Sequence, residues 1–168
     1  MNPTIRLLQA QDVQPIAAAF AELGWHKPAS QYEQYLIEQE AGMREVWVAF
    51  IEDQFVGYIC ILWHSDYQPF TEAGIPEIAD FNVLPIYRRR GIGTQLMDQA
   101  EARIASRAPV AGIGVGMTAD YGAAQRMYVL RRYVPDGRGL AHNGRPLQHG
   151  EQVIVDDELA LHFTRRVG

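Results

Sequence analysis

The sequence has few of the features that mark secreted or membrane-spanning proteins. Cys60 is the single cysteine among 168 residues, so no disulfide can form within the chain. No apolar run approaches the ~20 residues that cross a bilayer. The N-terminal residues lack the basic-then-apolar pattern of a signal peptide. We therefore expect a cytoplasmic protein with no membrane partner.

An excess of positive charge is also missing. The formal net charge is −5, whereas proteins that bind phosphate backbones present a basic face, so we expect no nucleic acid partner. Apolar residues make up 48% of the chain and charged residues 21%, which is typical of a folded globular protein. The length suits one domain spanning residues 1–168, with no internal repeat or linker.

Hydrophobic periodicity and turn residues predict eleven elements in the order β-α-α-β-β-β-α-β-α-β-β. Helices are predicted at residues 12–20, 31–41, 93–108 and 119–131, and strands at 4–8, 45–51, 55–63, 77–83, 110–117, 133–134 and 158–164. The alternation in the second half predicts an α/β fold with a mixed, partly parallel sheet and helices on both of its faces.

Local signals set several of these boundaries. Asp12 is predicted to cap the first helix, and Ser30 with Glu33 three residues later forms a capping box for the second. The segments 64–75 and 138–152 have no hydrophobic period and are predicted to be loops. Pro135-Asp136-Gly137 is expected to end the short strand before it.

A basic, glycine-containing loop follows the strand at 77–83 and leads directly into a helix. Its sequence is Arg88-Arg89-Arg90-Gly91-Ile92-Gly93-Thr94. First-turn amides of a helix attract anions, glycines let phosphate oxygens approach the backbone, and arginines add charged donors. A dinucleotide-binding loop would need glycine where Leu96 stands, and no P-loop lysine is present. The loop therefore predicts a pyrophosphate site, and a solvated basic turn is the alternative.

The pattern Arg-x-x-Gly-x-Gly, formed by Arg88, Gly91 and Gly93, resembles the coenzyme A signature of the GNAT superfamily of N-acetyltransferases. The preceding strand, Pro85 and the following helix lie where that family has them, and the element order resembles its fold over nearly the whole chain. The resemblance implies acetyl-CoA as cosubstrate and direct acetyl transfer to the primary amine of a small molecule or peptide. No metal is expected, because the histidines show no ligand spacing and one cysteine cannot complete a zinc set.

The resemblance also implies which residues bind acetyl-CoA. The backbone amides of Arg89, Arg90, Gly91, Ile92, Gly93 and Thr94 would hold the pyrophosphate, next to the charge of Arg88. The backbone from Phe81 to Val83 would pair with the pantetheine arm as an added strand does, with residues 110–117 across from it. The three glycines of that second strand suit close approach by something other than side chains.

Tyr128 is the candidate general acid. Ala124-Gln125-Arg126-Met127-Tyr128 resembles the family's Ala-x-x-Leu-Tyr segment, whose tyrosine protonates the departing thiolate. A phenol with a pKa of about 10 is neutral at pH 7 and can donate that proton. The alternative is packing on the apolar side of its helix. Two departures from the family pattern are Tyr121, where asparagine is frequent, and Arg132-Tyr133, where Gly-Phe is favoured.

Glu77 and Asp80 are the candidate general bases. An alkylammonium has a pKa near 10.4 and must lose a proton before it attacks, so a carboxylate is needed. Glu77 opens the strand at 77–83 and is the first candidate, with a solvated strand end as the alternative. Asp80 is the second, because a charge within a core strand is costly unless it is functional or paired, for instance with an arginine.

The acceptor side is expected to include the first two helices and the two long loops, which carry aromatic and acidic residues suited to a cationic amine: Trp25, Tyr32, Asp66, Tyr67, Phe70 and Glu72. His64 is a candidate proton relay or a surface histidine, and the apolar setting of Cys60 argues against a covalent acyl intermediate. A non-catalytic acyl-CoA-binding sensor is the rival reading, a longer acyl donor or a protein α-amine acceptor is a further alternative, and a homodimer is suggested by resemblance.

Overall fold

The computed structural model describes residues 2–168 and contains five helices and eight strands in that range. The helices are α1 Val13–Glu22, α2 Ala29–Glu40, α3 Gln68–Ala73, α4 Ile92–Ala105 and α5 Gly122–Leu130. The strands are β1 Thr4–Leu7, β2 Arg44–Ile51, β3 Gln54–Leu62, β4 Glu77–Val83, β5 Val110–Gly116, β6 Val134–His142, β7 Arg145–Pro146 and β8 Leu159–Arg166. Short 3-10 turns lie at Ala10–Asp12, Pro85–Tyr87 and Ala119–Tyr121.

The strands hydrogen-bond in the order β1-β2-β3-β4-β5-β8-β6-β7. β4 and β5 are parallel, with Glu77 beside Gly112 and Ile78 beside Ile113. The β1–β2, β2–β3, β5–β8, β6–β8 and β6–β7 pairs are antiparallel. Helix α4 makes the crossover that a parallel pair requires. The predicted α/β class, with a mixed and partly parallel sheet flanked by helices, is confirmed.

The chain forms two compact units. The first comprises the chain up to Trp63 together with Ala79–Arg103. Its core packs apolar residues of α1 and α2 against β2 and β3, and its fully buried members include Ile16, Phe20, Tyr32, Val46, Val48, Tyr58 and Cys60. The buried valine, isoleucine and phenylalanine side chains each contribute about 1.5–3 kcal/mol through burial of apolar surface.

The second unit comprises His64–Ile78 and Ile104–Gly168. Its buried cluster contains Tyr67, Phe70 and Ala141, with Ile75 packed against it. Strand β4 contributes its first two residues to this unit and the remainder to the first. The prediction of a single domain over residues 1–168 stays a prediction.

The predicted β2–β3 hairpin is confirmed, and its second strand is buried on both faces as expected. Every residue from Phe55 to Ile61 is buried, which explains the nearly continuous apolar sequence. The turn consists of Glu52 and Asp53, with φ angles of 47° and 64°. Two consecutive positive φ values match a type I′ turn, the form whose twist suits a two-residue hairpin.

The segment 64–75 was predicted to be a loop, and this is wrong in part because it contains α3. This helix is only six residues long, too short to show a helical period. Its start has a proline in the first turn, Pro69, and it ends at Gly74 with a φ of 66°. A proline at the start and a left-handed glycine at the end are ordinary helix boundaries.

The prediction that Pro135-Asp136-Gly137 ends a strand, and that residues 138–152 are a loop, is wrong in part. β6 continues to His142 and pairs with β8 at both ends, with a register shift between Pro135 and Leu140. Gly137 and Gly139 have φ angles of 81° and 71°. The turn residues therefore form an irregular bulge inside the strand, where the extra residues leave the ladder.

Asp12 lies at the predicted N-cap position of α1 but makes no side-chain capping hydrogen bond there, and the predicted cap of α2 is wrong. Helix α2 begins at Ala29, with Pro28 as N-cap, so Ser30 lies inside the first turn and makes no capping hydrogen bond. The Asp12 carboxylate instead accepts from the backbone N–H of Gln9 at 2.8 Å and from both terminal nitrogens of Arg6 at 2.7 and 2.8 Å. Asp12 thus stabilises the 3-10 turn before α1 and joins it to β1.

None of the helices within residues 2–168 has both the length and the apolar character needed to span a membrane.

Candidate active site

The basic loop places its amides at the start of α4. Gly91 has a φ of 78° and Arg89 a φ of 60°, and these left-handed residues turn the chain into the helix that begins at Ile92. Arg88, Arg89, Arg90 and Gly91 are exposed, and a Cβ built on Gly91 has no atom within 4 Å. The first helical hydrogen bond runs from Gln95 N–H to the Gly91 carbonyl at 3.1 Å.

The amides of Ile92, Gly93 and Thr94 consequently lack an acceptor within the helix and carry the positive end of its dipole. This donor set fits a pyrophosphate. Arg88 also donates from Nε to the Val83 carbonyl at 3.0 Å, and its guanidinium lies 5.9 Å from the centre of the Trp25 ring. Phe81 and Val83 are half-buried on β4, immediately before the loop.

Asp80 lies in the middle of β4 with a φ of 42°, a left-handed conformation that is unusual for a strand residue. Five donors converge on its carboxylate, at these distances: Tyr58 Oη 2.5 Å, Tyr35 Oη 2.7 Å, Asn82 Nδ2 2.9 Å, Lys27 Nζ 3.0 Å and Gln31 Nε2 3.3 Å. The charged partner is therefore a lysine and not the arginine considered from the sequence.

A carboxylate offers about four lone-pair positions, and five donors already occupy them. Burial, and next the charge of Asp80, raise the pKa of Tyr35 and of Tyr58 well above the usual tyrosine value. Both phenols therefore stay protonated and donate to Asp80. The arrangement suits a fixed anion better than a general base.

Glu77, the first residue of β4, has different surroundings. Its side chain is only 12% exposed, and its Oε2 accepts a hydrogen bond from the Ser65 hydroxyl. Ser65 Oγ accepts in turn from the Tyr67 backbone N–H at 2.9 Å. Burial raises the pKa of Glu77 to about 7, although the Ser65 hydrogen bond acts in the opposite direction. A carboxylate with a pKa near 7 can take and release a proton at neutral pH.

Tyr128 lies on α5 and is 5% exposed. Burial raises its pKa, so its hydroxyl stays protonated at neutral pH and can act as a donor. Its ring packs at 6.1 Å from the ring of Tyr133, so the packing role considered from the sequence is present as well. The two roles are compatible, because packing fixes the ring while the hydroxyl keeps its proton.

The glycines of β5 are approached by side chains, and the expectation that something other than side chains approaches them is wrong. A Cβ built on Gly112 lies 2.3 Å from the Phe70 ring, one on Gly114 lies 2.8 Å from His162 Nε2, and one on Gly116 lies 2.4 Å from the Tyr121 ring. Tyr121, one of the departures from the family pattern, covers Gly116 and donates to Asp157 at 2.6 Å.

Comparison with known proteins agrees with this architecture. The sequence model of the Acetyltransferase (GNAT) family matches residues 10–140, which is most of the chain. The protein belongs to the GNAT family. Membership makes it an N-acetyltransferase-type enzyme, so the rival reading of a non-catalytic sensor is not retained. A search of curated proteins found no match.

Several solved structures share the GNAT fold of this chain. A GNAT-family acetyltransferase from Staphylococcus aureus Mu50 superposes with a TM-score of 0.65 at 15% identity, covering 99% of each chain. Ard1 from Thermoplasma volcanium gives a TM-score of 0.70 at 19% identity, covering 99% of this chain and 98% of its own. A ribosomal-protein-alanine N-acetyltransferase from Brucella melitensis gives 0.70 at 18% identity, covering 97% and 99%. At these identities the likeness concerns the fold alone.

His162 and Ser65 are residues of this GNAT chain that the sequence reasoning missed. The His162 ring stacks on Tyr67 at 3.6 Å, and its Nε2 lies 3.8 Å from Glu77 Oε1. Burial lowers the pKa of His162 to about 4, so the ring is neutral at pH 7. Alternation along β8 carried a signal, because Leu159, Leu161 and Phe163 on one face place His162 on the other.

Cys60 and His64 are the remaining candidates. Cys60 is fully buried, and burial raises the pKa of its thiol, which agrees with the expectation that it is a weak nucleophile. His64 is exposed. Among residues 2–168 no group of three or more histidine, cysteine, aspartate or glutamate side chains is arranged to hold a metal ion.

Proposed function

We propose that this GNAT protein transfers an acetyl group from acetyl-CoA directly to a primary amine of a small molecule or peptide, with both substrates bound together. The observation that carries the proposal is the buried Glu77 carboxylate, whose pKa is raised to about 7. A base of that pKa removes a proton from an ammonium group at neutral pH more effectively than an ordinary glutamate, because its conjugate acid is weaker.

The proposed donor site is the loop at residues 88–94. Backbone amides from Arg89 through Thr94 would bind the pyrophosphate, and Arg88 and Arg90 would add positive charge. The exposed arginines and the open space at Gly91 support this assignment. The backbone of Phe81 and Val83 would hold the pantetheine arm by strand addition.

The proposed reaction uses one proton acceptor and one proton donor. Glu77 takes a proton from the acceptor, and the amine lone pair then forms a bond to the thioester carbonyl carbon. A backbone amide near Phe81 or Val83 donates to the carbonyl oxygen as negative charge develops there. The carbon–sulfur bond breaks and Tyr128 protonates the leaving thiolate. The nitrogen loses its second proton to solvent as the amide forms, and the Tyr128 phenolate regains a proton from solvent. Asp80 remains the second candidate base, and its five donors place it behind Glu77.

Calorimetric titration with acetyl-CoA tests the donor site. Gly93 lies inside α4 and lacks a positive φ, so Gly93→Val adds bulk among the amides without backbone strain. We expect saturable binding by the unaltered protein and at least tenfold weaker binding by Gly93→Val. Gly122→Val is the matched control, because Gly122 also starts a helix and has no atom near its Cβ position. No binding by the unaltered protein contradicts the proposal.

Thiol release during amine acetylation tests the base. We expect kcat/KM to rise with pH through about 7, because the Glu77 carboxylate must be deprotonated to act. Glu77→Gln keeps the side-chain shape and an acceptor for Ser65, and it should lower kcat by about 10²–10⁴-fold. Asp80→Asn measured in parallel separates the two candidates. A full rate in Glu77→Gln would exclude Glu77 as the base.

A further inference from the structure

The ammonium group of Lys27 occupies a preformed cation site. Its Nζ lies 3.0 Å from Asp80 Oδ1 and 3.2 Å from the Tyr58 hydroxyl. The rings of Phe20 and Tyr58 lie 5.6 and 5.8 Å from the same nitrogen. A carboxylate, a hydroxyl and an aromatic ring are groups that bind alkylammonium ions. We call the residues that contact Lys27 Nζ, together with the other donors to Asp80, the Asp80 cage: Phe20, Gln31, Tyr35, Tyr58, Asp80 and Asn82.

The walls of the cage lie on helices and strands, whereas its occupant comes from a connecting segment. Phe20, Tyr35, Tyr58 and Asp80 lie on α1, α2, β3 and β4. The Tyr58 hydroxyl is further supported by the hydroxyl of the fully buried Tyr32 at 3.4 Å. Lys27 lies between α1 and α2 in a segment without regular structure, flanked by exposed residues. Withdrawal of Lys27 would therefore leave the walls of the cage in place.

The backbone conformation of Asp80 is a second observation that points to a functional role for the cage. A non-glycine residue with a φ of 42° costs on the order of 1 kcal/mol or more, and it persists only where its surroundings hold it. An ion pair with Lys27 alone does not require this strain. In this left-handed turn Oδ2 of Asp80 accepts from the Tyr35 and Tyr58 hydroxyls, and Oδ1 accepts from the Lys27 ammonium.

We propose that the Asp80 cage is a binding site for a primary alkylammonium group of the acceptor, and that Lys27 occupies it as an internal competitor when no acceptor is bound. An ammonium paired with this carboxylate keeps its proton, so the cage anchors the acceptor and does not activate it. The acceptor then carries an anchoring ammonium in addition to the reacting amine, as a diamine or a lysine-containing peptide does. Only this statement about acceptors rests on the proposed function.

Binding is tested without acetyl-CoA, with n-butylammonium as the probe. Lys27→Ala removes the internal ammonium and its stem, so we expect n-butylammonium to raise the Tm of this variant by several degrees at matched ionic strength. The Tm of the unaltered protein should rise much less, since its tethered lysine competes with n-butylammonium at high effective concentration. Lys27→Met is the matched control, because its apolar side chain fills the stem position and supplies no charge. If Lys27→Ala does not fold alone, recovery of folded protein with n-butylammonium replaces the Tm readout.

Binding of n-butylammonium to the cage is independent of whether the protein acetylates amines. An equal Tm shift in all three proteins, or no shift and no recovery in Lys27→Ala, overturns the cage assignment whatever the enzyme acetylates. In a thiol-release assay, Asp80→Asn should raise KM for a diamine at least tenfold more than it raises KM for a matched monoamine. Equal effects on both acceptors also overturn it.

Discussion

Two carboxylates on β4 show how surroundings assign different tasks to similar side chains. Glu77 has one hydroxyl partner and is nearly buried, so its pKa rises to about 7. Asp80 accepts from five donors, one of them a lysine. The proposed roles of base for Glu77 and anchor for Asp80 follow from these partners and not from position in the sequence.

At the scale of single residues, the substitution Tyr128→Phe tests the proposed general acid. The substitution removes one oxygen and keeps the packed ring, so the fold should be unaffected. We expect kcat to fall by about 10²-fold, because the leaving thiolate would have to be protonated by water. Tyr121→Phe is the control; it removes a phenol bound to Asp157 and should retain the rate. Rates measured by thiol release that are equal in the two variants would exclude Tyr128 as the acid.

At the scale of elements, the packing of α3 against β5 requires a glycine. Phe70 is 1% exposed, and its ring lies where a Cβ on Gly112 would stand, at 2.3 Å. Gly112→Ala should lower the free energy of unfolding by about 1–3 kcal/mol, since the buried ring has no room to move. Gly122→Ala, at a position with open space, should change it by no more than about 0.5–1 kcal/mol. Urea denaturation measures the free energy of unfolding of both variants. Equal losses in the two variants would contradict the close approach of the Phe70 ring to Gly112.

The β2–β3 hairpin offers a stabilising change. Glu52 and Asp53 adopt the positive φ values of a type I′ turn, in which glycine is strongly preferred at the second position. Asp53→Gly should raise the free energy of unfolding by about 0.5–1 kcal/mol because it relieves left-handed strain. Glu33→Gly, on the exposed side of α2, should lower it by about 1 kcal/mol. Denaturation curves for the two variants should shift in opposite directions.

At the scale of the whole molecule, Glu77 couples stability to pH. Its folded pKa of about 7 lies above the ordinary value of 4.5, so the folded protein binds the proton more tightly than the unfolded chain. This group therefore lowers stability as pH rises from 4.5 to 7, by about 3 kcal/mol in total. Glu77→Gln should stabilise the protein at pH 8 relative to its effect at pH 4.5.

His162 acts in the opposite direction, because its folded pKa is lowered to about 4 and it favours folding as pH rises towards 6.5. The free energy of unfolding of the unaltered protein varies with pH through both groups. The informative quantity is therefore the difference in free energy of unfolding between the unaltered protein and Glu77→Gln at each pH. Chemical denaturation from pH 4.5 to pH 8 gives this difference. A difference that stays constant with pH would show that the Glu77 pKa is not raised.

The sequence by itself determined the class of fold, the long elements and the family. Buried strands such as β3 are recognisable as nearly continuous apolar runs, and amphipathic helices such as α4 by their helical period. Arg88, Gly91 and Gly93 lie close enough together in the sequence to form a motif. Tyr128 and Glu77 were named as candidates by residue type and position, and their catalytic roles are proposals.

Only the tertiary structure decided which groups meet. The Asp80 cage brings together side chains from residue 20 to residue 82, and the partner of Asp80 is Lys27 because α1 and α2 present it there. Ser65 and His162 reach Glu77 from a short connection and from β8, and neither has a local sequence signal as strong as a motif. Short elements such as α3 and the bulge in β6 depend on contacts between distant segments, which one-dimensional periodicity does not contain.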